Sequence, residues 1–430
     1  MFEKYDAYED SGVEWLGEIP ANWSCIKMKF LYSDVSIKGR ENAELLSVTQ
    51  DRGVIPRAWV ENRMVMPSGN LQSFKYIQKG DFAISLRSFE GGLEYCYHDG
   101  IISPAYTVLK KKRDVLEEGY YKYLFKSKIF ISELQTSIVG IREGKNISYE
   151  ELRYSYLPIP SGTEQNKISC FLDQKTSEID QAIAIKEHQI ALLNERKQIV
   201  IQKAVTQGLD PNVPMKDSGV EWIGQIPEHW ELKKIKHVTS KIGSGVTPSG
   251  GGATYLDEGI PLLRSQNIHF NRIDLNDVAR ISEKVHHSMS NSKVRKNDVL
   301  LNITGGSIGR CYFVETSEEM NVNQHVCILR PKKNIISIFL NAVLASEVGQ
   351  GQIWYFQQGG GREGLNFQAL KNFDIALPPI EEQILISKKV EEIYQQFGNM
   401  NAHIQMQIEK LKEYKTTLIN DAVTGKIKVA

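Results

Sequence analysis

Cysteine is scarce and scattered in this 430-residue chain: Cys25, Cys96, Cys170, Cys311 and Cys327 are odd in number and nowhere spaced as Cys-x-x-Cys. That pattern excludes a disulfide framework or a zinc ribbon and leaves reduced structural thiols. No apolar run reaches the roughly 18 residues that cross a bilayer. The opening Met-Phe-Glu-Lys-Tyr-Asp lacks the basic start and apolar stretch of a signal peptide. A cytoplasmic protein with no membrane contact is expected. Signatures of chemistry are missing too. There is no GxxxxGK[ST] phosphate loop, no HExxH and no GxSxG elbow, and His286-His287 lacks metal-ligand spacing. The glycine-rich stretch Gly243 to Gly251 has no lysine and reads as a surface loop; Gly305 to Gly309 reads as a turn. The acid pairs Glu117-Glu118 and Glu318-Glu319 read as solvated turns. No metal and no cofactor is expected on this chain, which favours a protein that is not itself an enzyme.

What is present is an ordinary globular composition, 41% hydrophobic and 24% charged, long enough for roughly two to four domains. The net charge of zero hides a pattern. Residues 24–157 carry 20 basic against 16 acidic side chains and residues 231–376 carry 17 against 13, whereas the first 23 residues carry one against six. Two mildly basic blocks permit nucleic-acid contact without requiring it.

Internal repetition is the strongest signal. Ser11-Gly-Val-Glu-Trp-Leu-Gly-Glu-Ile-Pro-Ala-Asn-Trp23 recurs as Ser218-Gly-Val-Glu-Trp-Ile-Gly-Gln-Ile-Pro-Glu-His-Trp230, nine of thirteen positions identical. Lys79-Gly80-Asp81 answers Lys296-Asn297-Asp298. Arg142-Glu143-Gly144 answers Arg362-Glu363-Gly364, and Leu157-Pro158 with Glu164-Gln165 answers Leu377-Pro378 with Glu382-Gln383. Ala204-Val205-Thr206 answers Ala422-Val423-Thr424. The chain is a tandem duplication of about 210 residues. Its last motif stops where its first begins, so the two ends should lie together in a body of circular, pseudo-two-fold symmetry.

Each half changes character along its length. Residues 24–157 and 231–376 are turn-rich, with apolar bursts Phe82 to Leu86 and Val299 to Ile303 that read as strands. Residues 163–207 and 380–424 are almost free of glycine and proline and read as long helices. Ile183, Ile190, Leu193, Val200 and Ala204, and likewise Ile404, Ile408, Leu411, Leu418 and Ala422, recur at spacings of three, four and seven. That is a narrow seam suited to coiled-coil pairing. Two such helices would pair antiparallel, as a rod roughly 60 Å long at about 1.5 Å per residue. The expected fold is α+β: two globular α/β-type domains separated by two long, antiparallel helices. The boundaries read 1–23 for the Trp segment, 24–157 for the first domain, 158–230 for the central region, 231–376 for the second domain and 377–430 for the last helix.

The duplicated Ser-Gly-Val-Glu-Trp-x-Gly-x-Ile-Pro-x-x-Trp entry, the Leu-Pro…Glu-Gln helix openings and the Ala-Val-Thr helix exits together resemble the DNA-specificity subunits of type I restriction–modification systems, over both repeats. The resemblance implies that each domain reads one half of a split, asymmetric double-stranded DNA target. It implies that the helices fix the gap and dock two methyltransferase subunits, with motor–nuclease subunits joining for restriction. S-adenosylmethionine, ATP and Mg would then sit on those partners. Base reading favours Arg, Asn and Gln, and phosphate positioning favours Arg, Lys, Ser and Thr. In the second domain that selects Arg264, Ser265, Gln266 and Asn267, a segment similar to one that family members place near DNA, with Ser244, Thr247, Arg310, Asn323 and Gln324. In the first it selects Thr49, Gln50, Arg52, Arg87 and Ser88. Arg142 and Arg362, shared by both halves, suit scaffold packing or phosphate contact. Trp15, Trp23, Trp222 and Trp230 read as packing anchors or partner contacts, and Ile190, Leu193, Ile408 and Leu411 as the helix seam. Two other readings stand beside this one: a duplicated coiled-coil adaptor that does not bind DNA, and a stand-alone modifying enzyme. Against the last, no Asn/Asp-Pro-Pro-Tyr/Phe tetrapeptide occurs.

Overall fold

The computed structural model describes residues 2–60, 71–139, 146–248, 255–357 and 364–429. The chain divides into two compact units, Met1–Glu187 with Met406–Ala430, and His188–Gln405.

In the first unit, β1 (Ser24–Lys27) pairs antiparallel with β6 (Tyr156–Ile159), so the segment between them begins and ends on one ribbon. Inside it, an antiparallel sheet runs β2 (Tyr32–Asp34), β5 (Thr107–Lys111), β3 (Phe82–Ile84), β4 (Glu94–Tyr95). Successive side chains of a strand point to opposite faces, and both faces here are covered. Phe82, Ile84 and Leu109 join Tyr32, Tyr121 and Phe125 in the core under helix α1 (Glu118–Leu124). Ala83 and Val108 face the hairpin of Leu46–Thr49 and Gly53–Pro56. This accounts for the unbroken apolar burst in the sequence.

The second unit repeats the plan. β7 (Glu231–Lys234) pairs with β13 (Asp374–Leu377). The sheet runs β8 (Thr239–Ser244), β12 (Val326–Pro331), β10 (Val299–Asn302), β11 (Cys311–Phe313). Val299, Leu301, Cys327 and Leu329 face helix α3 (Ser337–Ala345), and Leu300, Val326 and Ile328 face a second small core. A further strand, β9 (Ile260–Leu263), lies between Ala279–Ile281 and the parallel Asn321–Val322.

Two long helices, α2 (Gly162–Gln207) and α4 (Ile380–Val423), contribute to both units. In the first unit Lys415 Nζ meets Asp180 at 2.7 Å, and Lys186 Nζ donates to Gln407 Oε1 at 2.6 Å. In the second, Asn401 Nδ2 donates to Asn194 Oδ1 at 2.9 Å, and Lys197 Nζ stands 5.6 Å from the Tyr394 ring centre. Within each unit one residue number rises as the other falls, so the helices are antiparallel. Ile408 is buried and Ile190, Leu193 and Leu411 are half-buried, as a seam requires.

The repeated motifs build the same joint twice. Asp10 and Asp217 carboxylates accept from the backbone of Gly12 and Gly219, holding the same turn. Gly425 and Gly208 end the helices at φ +74° and +77°, a region that glycine enters without penalty. A Cβ at Gly425 would meet Pro20 and Trp23, and one at Gly208 would meet Pro227 and Trp230. Trp23 and Trp230 are buried; Trp15 lies edge-on to Phe130 and Trp222 against Tyr355. All four pack within their units. Lys428 N donates to Glu3 O at 2.8 Å, so residues near both ends are paired.

At the start of each long helix a glutamine is fully buried. Gln165 Nε2 donates to the carbonyls of Val115 and Pro160, and its Oε1 accepts from Glu117 N. Gln383 repeats this with Asn334, Pro378 and Ile336 N. The preceding glutamates grip the Trp motif: Glu164 accepts from Tyr5 OH at 2.5 Å and Asn22 Nδ2 at 3.4 Å, and Glu382 accepts from Trp230 Nε1 at 2.9 Å. Replacing Gln383 with leucine strips the amide partner from three backbone groups, the Pro378 carbonyl among them in a buried bond, and should cost about 2 kcal/mol or more in chemical denaturation. A loss below about 1 kcal/mol would show that this amide is not what ties the helix to the domain.

Candidate nucleic-acid interface

Strand register brings most of the selected residues of the second unit to one end of its sheet. Asn302 at the end of β10 lies opposite Val326 at the start of β12, and Ser244 at the end of β8 lies opposite Cys327. The loops that leave this end are stitched together. Gly245 N donates to Asn323 O, and Asn323 N to Leu263 O. Thr247 Oγ1 donates to Gln324 Oε1, Gln324 Nε2 meets His325 Nε2 at 2.9 Å, and His325 Nδ1 meets Thr304 Oγ1 at 2.6 Å. The glycine at 245 is there for close approach: a Cβ would stand 1.6 Å from Val322 O. Thr247, Gln266 and Gln324 are exposed; Ser244, Arg264, Ser265 and Arg310 are half-buried. The Arg264 guanidinium rests 5.6 Å from the Tyr255 ring centre.

The first unit gathers a smaller set. Thr49 Oγ1 donates to Gly53 O at 2.9 Å and accepts from Arg52 N, closing the hairpin. Gln50 Nε2 donates to Arg87 O at 3.3 Å, joining that hairpin to the loop after β3. Arg52 donates to the carbonyl of Trp59, an exposed aromatic that sequence reasoning passed over.

Three selected residues do not offer their side chains to a ligand. Ser88 is fully buried and its Oγ accepts from Ser85 N; Asn267 is 2% exposed, with Oδ1 accepting from Arg264 N and Nδ2 donating to Asp274 O. Asn323 is 8% exposed, and its Oδ1 accepts from His325 N. These shape the loops, because each is buried and its side-chain oxygen accepts from a backbone N–H of its own loop. Arg142 and Arg362 lie outside the described residues.

Other residues that hold the loops gave no sequence signal. Asn302, fully buried, donates from Nδ2 to Ser265 O at 2.7 Å and to Ser307 Oγ at 3.2 Å. In the first unit Lys126 Nζ ties Gln50 O, Gly91 O and the Glu94 carboxylate, at 2.9, 2.9 and 2.6 Å. In the second, Gln350 Nε2 donates to Gly309 O at 3.0 Å and does the same work. A lone amide or lysine in a helical or strand context carries no motif. Among the described residues, no cluster of His, Cys, Asp or Glu could hold a metal ion, and no helix is long and apolar enough to cross a membrane.

Comparison with known proteins places this geometry. Residues 227–410 match the family model described as type I restriction modification DNA specificity domain. The specificity subunit of the type I restriction enzyme EcoBI from Escherichia coli is 25% identical over 368 residues, covering 84% of this chain and 76% of that protein. The MjaVIII specificity subunit from Methanocaldococcus jannaschii is 26% identical, covering 77% and 75%. The chain is therefore similar, over most of its length, to type I restriction–modification DNA-specificity subunits, and residues 227–410 carry the family's domain signature. Likeness of fold extends over nearly the whole chain. A solved structure from work on assembly and conformational transition of the type I R-M system superposes with a TM-score of 0.70 at 14% identity, covering 94% of this chain and 98% of the other. The crystal structure of the HsdS subunit from Thermoanaerobacter tengcongensis gives 0.51 at 16% identity, covering 95% and 98%.

In the first unit the Lys126–Glu94 tie carries a titration. Burial pushes the Glu94 carboxyl up to about 7, against the opposing pull of the Lys126 ammonium. An unfolded glutamate titrates at about 4.3, so the folded state holds the proton more tightly. The associated stability is complete below about pH 4 and is lost as pH rises through about 7. Glu94→Gln keeps an acceptor for Lys126 and removes the titration. Between about pH 4.5 and 7.5 the variant should gain about 1–3 kcal/mol relative to wild type in urea denaturation. Parallel stability curves for the two proteins would show that Glu94 does not titrate there.

Proposed function

We propose that this chain is the non-catalytic targeting subunit of an adenine-methylating complex, and that each unit reads one half of a bipartite, asymmetric DNA sequence. The observation that carries the reading is the polar loop cluster at the end of the second unit's sheet. It is cross-linked by hydrogen bonds, and its outward groups, Gln266, Gln324, Thr247, Arg264 and Arg310, are the side-chain types that read base edges and phosphates. Rigid loops on a buried sheet suit recognition, because little order remains to be imposed on binding. The first unit's hairpin, with Gln50, Arg52 and Arg87, serves the other half-site.

The residues in the two clusters differ while the joints repeat. That combination supports different bases read by two domains on one scaffold. The helices that run from one unit into the other fix the unread gap. Their repeated ends give two methyltransferase subunits equivalent places to dock, and motor–nuclease subunits join through the same complex. S-adenosylmethionine, ATP and Mg belong to those partners, and this chain contributes recognition.

The test is a long-read map of methylated adenines in a methylation-free host carrying this chain and the methyltransferase encoded beside it. The expected result is a two-part motif with a fixed gap that vanishes when the chain is deleted. Exchanging residues 24–157 for those of a relative should change one half-motif and leave the other. Gln266→Ala and Gln324→Ala should each relax one position of the second half-motif, by about 1–3 kcal/mol of discrimination. Absence of chain-dependent methylation, with a soluble complex and an active methyltransferase, would sink the proposal and favour the adaptor reading.

A further inference from the structure

A cavity of about 610 Å³ in the second unit lies where the first unit carries two ion pairs. α2 and α4 align at a constant offset of 218 residues, from Glu164 with Glu382 to Ala204 with Ala422. α1 and α3 align through Glu117 and Ile336, whose backbone N–H groups donate to Gln165 and Gln383. In the first unit Lys122 on α1 pairs with Asp173 on α2 at 2.7 Å, and Tyr123 OH adds a bond to the same carboxylate. Seven residues further along α2, Asp180 pairs with Lys415 at 2.7 Å.

Each of these pairs is halved in the second unit. Asp173 is matched by Glu391, but Lys122 is matched by Asn341; Lys415 is matched by Lys197, but Asp180 is matched by Gly398. Asn341, Glu391, Lys197, Gly398 and Tyr394 all line the cavity. Asn341 is 2% exposed, yet its Oδ1 has no hydrogen-bond partner. Among the described residues Glu391 has no ion-pair partner, and Lys197 has only the ring of Tyr394. A buried amide oxygen without a partner is costly unless something completes it, and the two half-pairs at the same opening leave one charge of each sign free to be matched.

We infer that a partner protein completes this cavity with two side chains: a basic one set against Glu391 and Asn341, and an acidic one set against Lys197. The first unit displays the chemistry of the occupant, an ammonium on a carboxylate and a carboxylate on an ammonium. The two positions lie seven residues apart on one helix, about 10 Å along its axis. The inference rests on the docking of methyltransferase subunits proposed above and adds that the two docking places are unequal. The first is closed by its own residues, and the second needs the partner's.

The test closes the cavity from within. Asn341→Lys combined with Gly398→Asp rebuilds in the second unit the pairs of the first. A Cβ at Gly398 meets nothing within 4 Å, so the helix accepts it. The double variant should melt at or above the wild-type temperature. Titrated with the methyltransferase encoded beside it, it should bind one copy as wild type does and the other at least about tenfold more weakly, by calorimetry and native mass spectrometry. Glu391→Lys, at an exposed position, should weaken the same step by a similar factor without touching the core. Two copies bound by both variants with affinities within about twofold of wild type would overturn the inference alone. A wild-type chain that takes up no methyltransferase would overturn the docking proposal, and this inference with it.

Discussion

The structure hangs on two buried amides. Gln165 and Gln383, themselves fully buried, each pair three backbone groups, binding the start of a long helix to the last strand of its domain and to the turn before a core helix. Amides serve where apolar side chains could not, because only a group that donates and accepts can pair both carbonyls and an N–H. With the helix start fixed, the adjacent glutamate reaches the Trp motif, and the helix exit glycine seats against the tryptophan of that same motif. The Trp entry, the Leu-Pro and Glu-Gln helix openings and the Ala-Val-Thr helix exits all land on this joint.

The motifs of the joint are repeated and the loops of the domains are not, which follows from what each part must satisfy. Buried hydrogen bonds tolerate little change, since removing one partner strands the other. The loops at the sheet ends face water and are constrained chiefly by what they bind. Even so, both units solve one mechanical problem in different ways. Lys126 and Gln350 pin the carbonyls of Gly91 and Gly309, one with an ammonium and one with an amide. The ammonium brings a buried carboxylate with it, so the Glu94 carboxyl sits beneath the first unit's loop cluster.

Sequence reasoning located the loop clusters and missed how they are held. Arg264, Gln266, Thr247 and Gln324 were selected on residue type and position after a strand-like run, which are visible in one dimension. Ser88, Asn267 and Asn323 share those traits, and the structure turns them inward. The choice between outward and inward depends on which carbonyl happens to lie within reach, and for Asn267 that carbonyl belongs to Asp274, across a turn that no propensity specifies. Asn302 and Lys126 were invisible for the same reason: their partners come from segments 37 and 76 residues away.

By itself the sequence determined the duplication, the circular phase of its motifs, the two long helices and the strands at Phe82 and Val299. Each of these is written in local periodicity or exact repetition. Only the tertiary structure decided that both faces of each sheet are covered, which selected polar residues reach the surface, and that the second unit leaves a cavity where the first closes two ion pairs. Those outcomes depend on pairs of residues far apart in the chain. A substitution such as Asp180 for Gly398 looks like ordinary drift until the helix it faces is in place.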